Sequence, residues 1–155
     1  MKALLLPCYY LFGVITMMVF DENNLTVEQY LHLRRQVRWK PLTPQQAQKA
    51  LDNSLYVLSA YHDGELVGMG RLVGDGAVIC YIQDLIVVPN IQAHGIGSMI
   101  IERLMAYAAS LGFPGTTMML DLMCAKGREK FYQKHGFIAR PTDELGPGMI
   151  QYLEL

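Results

Sequence analysis

Charge is the first thing this sequence has little of. Charged residues make up 17% of its 155 positions, 13 Lys+Arg against 14 Asp+Glu, for a formal net charge of -1. With no basic excess to neutralise a phosphate backbone, nucleic-acid binding through bulk electrostatics is excluded, and any anionic ligand must be held by local groups. Cysteine is scarce too. Cys8, Cys80 and Cys124 are odd in number and far apart, with neither disulfide nor zinc spacing, so the reading is of buried thiols in a reducing compartment and of no metal site. No internal repeat or low-complexity linker divides the chain, which is long enough to bury one core without cross-links. One domain over residues 1–155 is expected, with 1–13 as an apolar extension at its start.

That apolar start lacks the marks of an export signal. Lys2 offers a minimal positive region and Ala3 to Leu6 a short apolar one, but Pro7 interrupts it and no small-residue cleavage site comes after it. A membrane span is crossed by Pro7 and Gly13. The expectation is a soluble cytoplasmic protein in which an extended start feeds a first strand, Val14 to Phe20. Met17 or Met18 is an alternative start, and export or tethering remains the competing reading.

The rest of the chain is rich in local signals. Thr26 with Gln29 forms a capping box ahead of an amphipathic helix to about Arg38, and Thr43-Pro44-Gln45-Gln46 repeats the device ahead of a short helix to about Asn53. Between them Arg38-Trp39-Lys40-Pro41 is an exposed turn carrying the only tryptophan. Leu55 to Tyr61 and Leu66 to Val73 read as strands joined by the hairpin signal Asp63-Gly64, and Gly74-Asp75-Gly76 turns the chain into a long strand, Ala77 to Val88. A helix from Ser98 to Leu111 stops at Gly112. Thr116 to Met123 is a further apolar strand, parallel to the one before the helix because a helical crossover joins them. Gly127 to His135 is a short helix, and Phe137 to Ala139 with Met149 to Leu155 read as a terminal pair of strands.

The junction of the long strand and its helix carries the chemistry. Leu85-Ile86-Val87-Val88-Pro89 runs into Asn90-Ile91-Gln92-Ala93-His94-Gly95-Ile96-Gly97-Ser98, a glycine loop opening a helix. Glycines let backbone N–H groups approach a ligand, and a helix N-terminus adds unpaired donors and partial positive charge, so the place suits a phosphate. The common nucleotide loops are missing from it. No Gly-Lys-Ser/Thr closes a P-loop, and Ile100 stands where the dinucleotide fingerprint needs its third glycine.

The remaining pattern, Gln92-Ala93-His94-Gly95-Ile96-Gly97 after a Leu-x-Val-x-Pro strand end, resembles the coenzyme A signature of the GNAT superfamily of N-acetyltransferases. The element order β, α, α, β, β, β, α, β, α, β, β is similar to that fold over about residues 14 to 155. The resemblance implies an α/β (α+β) fold: a mixed, largely antiparallel sheet with a central splayed parallel strand pair, flanked by helices. It also implies acetyl-CoA as cofactor, with Leu85, Ile86 and Val87 bonding its pantetheine arm and Gln92, Ala93, His94, Gly95, Ile96, Gly97 and Ser98 at its pyrophosphate.

A second landmark is similar as well. In Phe131-Tyr132-Gln133-Lys134-His135-Gly136-Phe137 an aromatic-Tyr pair precedes a Gly-Phe, which makes Tyr132 the candidate general acid for the departing thiolate. Ala125 stands where the family often has a coenzyme-binding asparagine. Asp84 interrupts an apolar run and is the candidate base, a carboxylate there being costly without a partner or a task. Pairing with Arg71 is the alternative. Trp39, Arg71 and Gln83 are candidate substrate contacts. The acceptor implied is a small cationic primary amine, with no nucleic acid or membrane partner and a homodimer possible. A protein N-terminal or lysine acetyltransferase and a coenzyme-binding module without turnover remain open.

Overall fold

The computed structural model describes residues 4–5, 9–11 and 14–154. Cys8, Pro7 and most of the apolar extension therefore lie outside the described residues. Strands β1 (Leu4–Leu5), β4 (Met18–Glu22), β5 (Tyr56–His62), β6 (Glu65–Gly74), β7 (Ile79–Val87) and β8 (Met119–Asp121) form one sheet in the order β1-β4-β5-β6-β7-β8, while β2 (Tyr9–Leu11) and β3 (Val14–Thr16) pair separately. Neighbours in the large sheet are antiparallel except β7 and β8, which are parallel. The mixed sheet with one parallel pair, flanked by helices, is the expected architecture.

Helices α1 (Val27–Gln36) and α2 (Pro44–Asp52) both start on complete capping boxes, Thr26 with Gln29 and Thr43 with Gln46. Helix α3 (Ile96–Leu111) lies on the opposite face, and β6 shows why it can come so close. A Cβ on Gly70 would sit 2.7 Å from Leu104 Cδ1 and one on Gly68 3.0 Å from Ile100 Cδ1, so these glycines let α3 rest on the backbone. Alternation then turns Met69 and Arg71 to the α1/α2 face, where Arg71 reaches the carbonyl of Ala50. Ile100, Ile101 and Leu104 of α3 and Tyr30 and Leu33 of α1 are fully buried from the two sides.

Three expectations differ from the structure. Val14 to Phe20 is not one strand: β3 and β4 belong to different sheets, and Met17 between them exchanges hydrogen bonds with Asp63, its N–H donating to Oδ1 and its carbonyl accepting from the Asp63 N–H. The strand expected over Thr116 to Met123 shortens to three residues, because β7 and β8 stay side by side only from Ile79–Met119 to Tyr81–Asp121. Finally, no ladder forms among the described residues of 137–154. The expected segments, Phe137 to Ala139 and Met149 onward, have no strand beside them among the described residues, so neither finds ladder partners.

Strand β7 carries a bulge. Arg71 pairs with Gln83 but Met69 pairs with Ile86, so one extra residue sits on β7, and Asp84 takes φ 58 to accommodate it. The side chains of Gln83 and Asp84 consequently share the α1/α2 face and hydrogen-bond each other at 3.0 Å.

Candidate active site

The glycine loop is a short 3-10 turn (Pro89–Ile91) followed by two left-handed residues, Ala93 at φ 67 and Gly95 at φ 82, the latter at the N-cap of α3. The helix thus begins two residues earlier than its sequence pattern indicates. Gly95 offers no capping side chain, and the first intrahelical bond runs from the Met99 N–H to the Gly95 carbonyl. The N–H groups of Ile96, Gly97 and Ser98 therefore have no partner within the helix. A Cβ at Gly95 would meet nothing within 4 Å, so the N-cap itself is uncrowded. These residues fit the pyrophosphate of coenzyme A: unpaired N–H groups at a glycine-led helix N-terminus.

Other members of the loop do different work. Gln92 donates to the Val87 carbonyl at 2.8 Å and accepts from Arg128 at 3.0 Å, so it pins the loop to the strand end and draws a guanidinium to its mouth. His94 Nδ1 lies 3.2 Å from the Ile91 carbonyl. Ser98 Oγ meets His135 Nε2 at 3.2 Å, linking α3 to α4 (Glu129–Lys134). Gly97 is a contact glycine, since a Cβ there would stand 3.3 Å from Phe131 Cζ. Its bare Cα lets α4 dock against α3. Arg128 is a member of the site that the sequence pattern does not single out. Its one signal is its place just ahead of the aromatic-Tyr helix.

Beyond Tyr81 and Asp121 the parallel strands part, and the edge of β7 that carries Leu85, Ile86 and Val87 has no strand beside it on that side among the described residues. The Tyr81 hydroxyl accepts from the Met123 N–H at 2.9 Å, holding the chain after β8 as it leaves. Tyr132 on α4 is half-buried, and its hydroxyl has no hydrogen-bond partner among the described residues. Burial, then the nearby Cys124 and Tyr81, push its phenol above the ordinary tyrosine range against the opposing pull of Arg128. Such a hydroxyl keeps its proton at neutral pH and can give it to a stronger base. Ala125, in the turn before α4, accepts from the Arg128 N–H through its carbonyl.

Asp84 meets an arrangement the sequence only half anticipates. Its side chain is fully enclosed. Oδ1 accepts from Arg34 Nη1 at 2.8 Å and from Gln83, and Oδ2 accepts from Arg71 Nε at 2.8 Å and from the Tyr30 hydroxyl. The two arginines are themselves tied down. Arg71 also donates to the Ala50 carbonyl and Ser54 Oγ, and Arg34 to the Lys40 carbonyl. The Arg34 guanidinium stacks over Trp39 at 5.2 Å and Tyr30 at 5.6 Å. Asp84 thus gathers Arg71 and Gln83 directly and Trp39 through Arg34, joining both N-terminal helices and their connection to the sheet beside the bulge. Of that group Trp39 is the partly exposed member, at 37%.

Among the described residues no cluster of His, Cys, Asp and Glu could hold a metal ion, and no helix is long and apolar enough to cross a membrane.

Comparison with known proteins agrees with this geometry. Residues 21–137 match the family model for the Acetyltransferase (GNAT) family. The solved structure of protein SA2161 from meticillin-resistant Staphylococcus aureus superposes with a TM-score of 0.76 at 32% identity, over 88% of this chain and 100% of that one. The GNAT family protein SP0256 from Streptococcus pneumoniae TIGR4 gives 0.74 at 28%, over 90% and 100%. An uncharacterized ycf52-like N-acetyltransferase of Prochlorococcus marinus is 27% identical over 128 residues, which are 79% of this chain and 69% of that protein. The chain spans only 30% and 59% of two further curated relatives, from Arabidopsis thaliana and Glycine max. A match over so much of the chain, joined to the loop, the splayed pair and the aromatic-Tyr helix, shows that the chain belongs to the GNAT family of acetyltransferases.

Proposed function

We propose that this protein transfers an acetyl group from acetyl-CoA to a small cationic primary amine in the cytoplasm. The observation that carries the reading is the Tyr132 hydroxyl, free of any hydrogen bond from the described residues and beside the opening between β7 and β8, with the unpaired head of α3 flanking the same opening. Acetyl-CoA supplies an activated acetyl thioester. The free edge of β7 suits an extended, amide-bearing arm that adds to a sheet as a strand would. The N–H groups of Ile96, Gly97 and Ser98 and the Arg128 guanidinium suit its phosphates.

In the transfer a C–N bond forms and a C–S bond breaks. Tyr132 donates its proton to the departing sulfur and recovers one from the amide-forming nitrogen. The amine must first shed a proton, because an alkyl ammonium of pKa about 10.4 is only about 0.04% neutral at pH 7, a cost of about 4.6 kcal/mol. Asp84 does not take that proton in our reading. Both its oxygens are occupied by two guanidiniums, an amide and a hydroxyl, and an amine has no path to them. Its task is to brace the bulge, so that Gln83 and Trp39 stand at the acceptor side.

Thiol release from acetyl-CoA against a panel of polyamines, arylalkylamines, amino acids and N-terminal peptides tests the proposal. Acceleration by one amine class supports transfer and names the acceptor. Tight acetyl-CoA binding with no acceleration by any of them favours a binding module without turnover, the reading that Ala125 in place of a coenzyme-binding asparagine supports.

A further inference from the structure

The half-buried carboxylate that the proposed transfer leaves unused is Asp121. It is the last residue of β8 and stands in register with Tyr81 across the parallel ladder, so the two side chains share a face of the sheet. That face is also the one carrying Gln83, two residues along β7, and Arg71, which pairs with Gln83. Asp121 therefore stands on the same face as Gln83 and Arg71, at the point where the strands part.

Its Oδ1 is buried and makes no hydrogen bond to any described residue. A carboxylate oxygen withdrawn from water without a donor is costly, and Asp84 nearby shows how this protein satisfies a carboxylate that serves only the fold: with four donors. Two groups face Asp121 from the elements around it, Tyr81 and Arg140. Tyr81 of β7 is beside it but has its hydroxyl engaged by the Met123 N–H. Arg140, from the segment after α4, draws on its charge without forming an ion pair. Tyr132 of α4 lies beyond Tyr81, close enough for the Tyr81 phenol to help raise its own. None supplies the missing donor.

We propose that Asp121 seats the acceptor's ammonium, accepting a hydrogen bond from its N–H and then taking its first proton. This rests on the transfer reading above. The balance is simple: R–NH3+ and the carboxylate become R–NH2 and the carboxylic acid, the neutral amine attacks, and the acid returns its proton to water after turnover. A group that must receive a proton from an ammonium benefits from the environment observed, where burial raises the Asp121 carboxyl above the usual range against the pull of Arg140.

The test uses the full chain loaded with coenzyme A and follows the aspartate carboxyl carbons by NMR as pH is varied. The Asp121 midpoint is expected above the ordinary aspartate range, and methylammonium, the smallest primary amine, is expected to lower it, while tetramethylammonium, a cation without N–H, leaves it in place. A midpoint unmoved by methylammonium overturns the proposal. In a second arm, Asp121→Asn is expected to lower kcat/KM for the best amine of the panel at least 10²-fold, to remove the acidic limb of its pH profile and to leave acetyl-CoA affinity unchanged. Unchanged kcat/KM also overturns it. Should that variant not fold, the titration of the wild-type protein decides by itself. Absence of turnover with every amine would sink the transfer reading, and the same titration would still decide whether Asp121 binds an amine.

Discussion

Replacing Asp84 by asparagine keeps the shape of the side chain and removes its charge. The structure assigns that charge two guanidinium partners at 2.8 Å, with exposures of 0% for Asp84, 10% for Arg71 and 12% for Arg34. Arg71 would keep its bonds to Ala50 and Ser54 and Arg34 its bond to Lys40, but both cations would face a neutral amide that offers an N–H where one of the two acceptor oxygens stood. Removing one partner of a buried pair costs about 3–5 kcal/mol. Asp84→Asn should therefore unfold at lower urea and, for a chain of this size, lose roughly 6–20 °C of Tm, at about 2–4 °C per kcal/mol. Urea denaturation with equal m values gives the difference directly. A loss below about 1 kcal/mol would refute the claim that this carboxylate organises the fold. The same variant separates bracing from proton transfer. If Asp84 braces the bulge, residual turnover keeps the wild-type pH profile. A rate that climbs back as pH rises toward the amine's own pKa would show that Asp84 is the proton acceptor after all.

Tyr132→Phe keeps the ring contacts with Phe131 and Phe137 and should lower kcat about 10²-fold with acetyl-CoA affinity little changed, measured by steady-state kinetics and calorimetry. Gly97→Val places carbon where Phe131 packs and should abolish acetyl-CoA binding in calorimetry by displacing α4, while Gly95→Ala, with open space but φ 82, should cost only about 1–2 kcal/mol of stability. Asp75 accepts three N–H bonds, from Ile79, Ala77 and Val78, which hold its carboxyl below the ordinary range. Its contribution is complete above the unfolded value and disappears as pH falls through the lower folded one. Asp75→Asn should consequently flatten the acid limb of stability below about pH 4, read by urea unfolding across pH.

Much of the fold was legible because its signals are local. Both capping boxes, the Asp63-Gly64 hairpin and the glycine-headed helix depend on residues within a few positions of one another, and each stands where the sequence places it, the helix start shifted by two residues. The parallel pairing of β7 and β8 was legible for a different reason: a helical crossover leaves little choice of direction. The bulge at Asp84 was not, because an extra residue in a strand leaves no trace in its composition and is visible only against the register of β6. The terminal strands expected in 137–155 had apolar content enough in Met149 to Leu155 but no adjoining strand in the described residues, and apolar content cannot supply a partner.

The sequence by itself determined the glycine-headed helix start on which the proposed phosphate site rests, since a strand end, two glycines and a helix start are contiguous and the donors are backbone. It also determined the family, through the same loop and the Phe131-Tyr132 helix. Only the tertiary structure decided which donors reach Asp84 and Asp121. In the sequence Asp84 and Asp121 look alike, single acids in apolar strands. One meets Tyr30 and Arg34 from 50 or more residues away and Arg71 across a bulge. The other stands opposite Tyr81 at the end of a three-residue strand with an oxygen unpaired. A carboxylate's role follows from which donors reach it, and those donors come from distant parts of the chain that meet only when it folds.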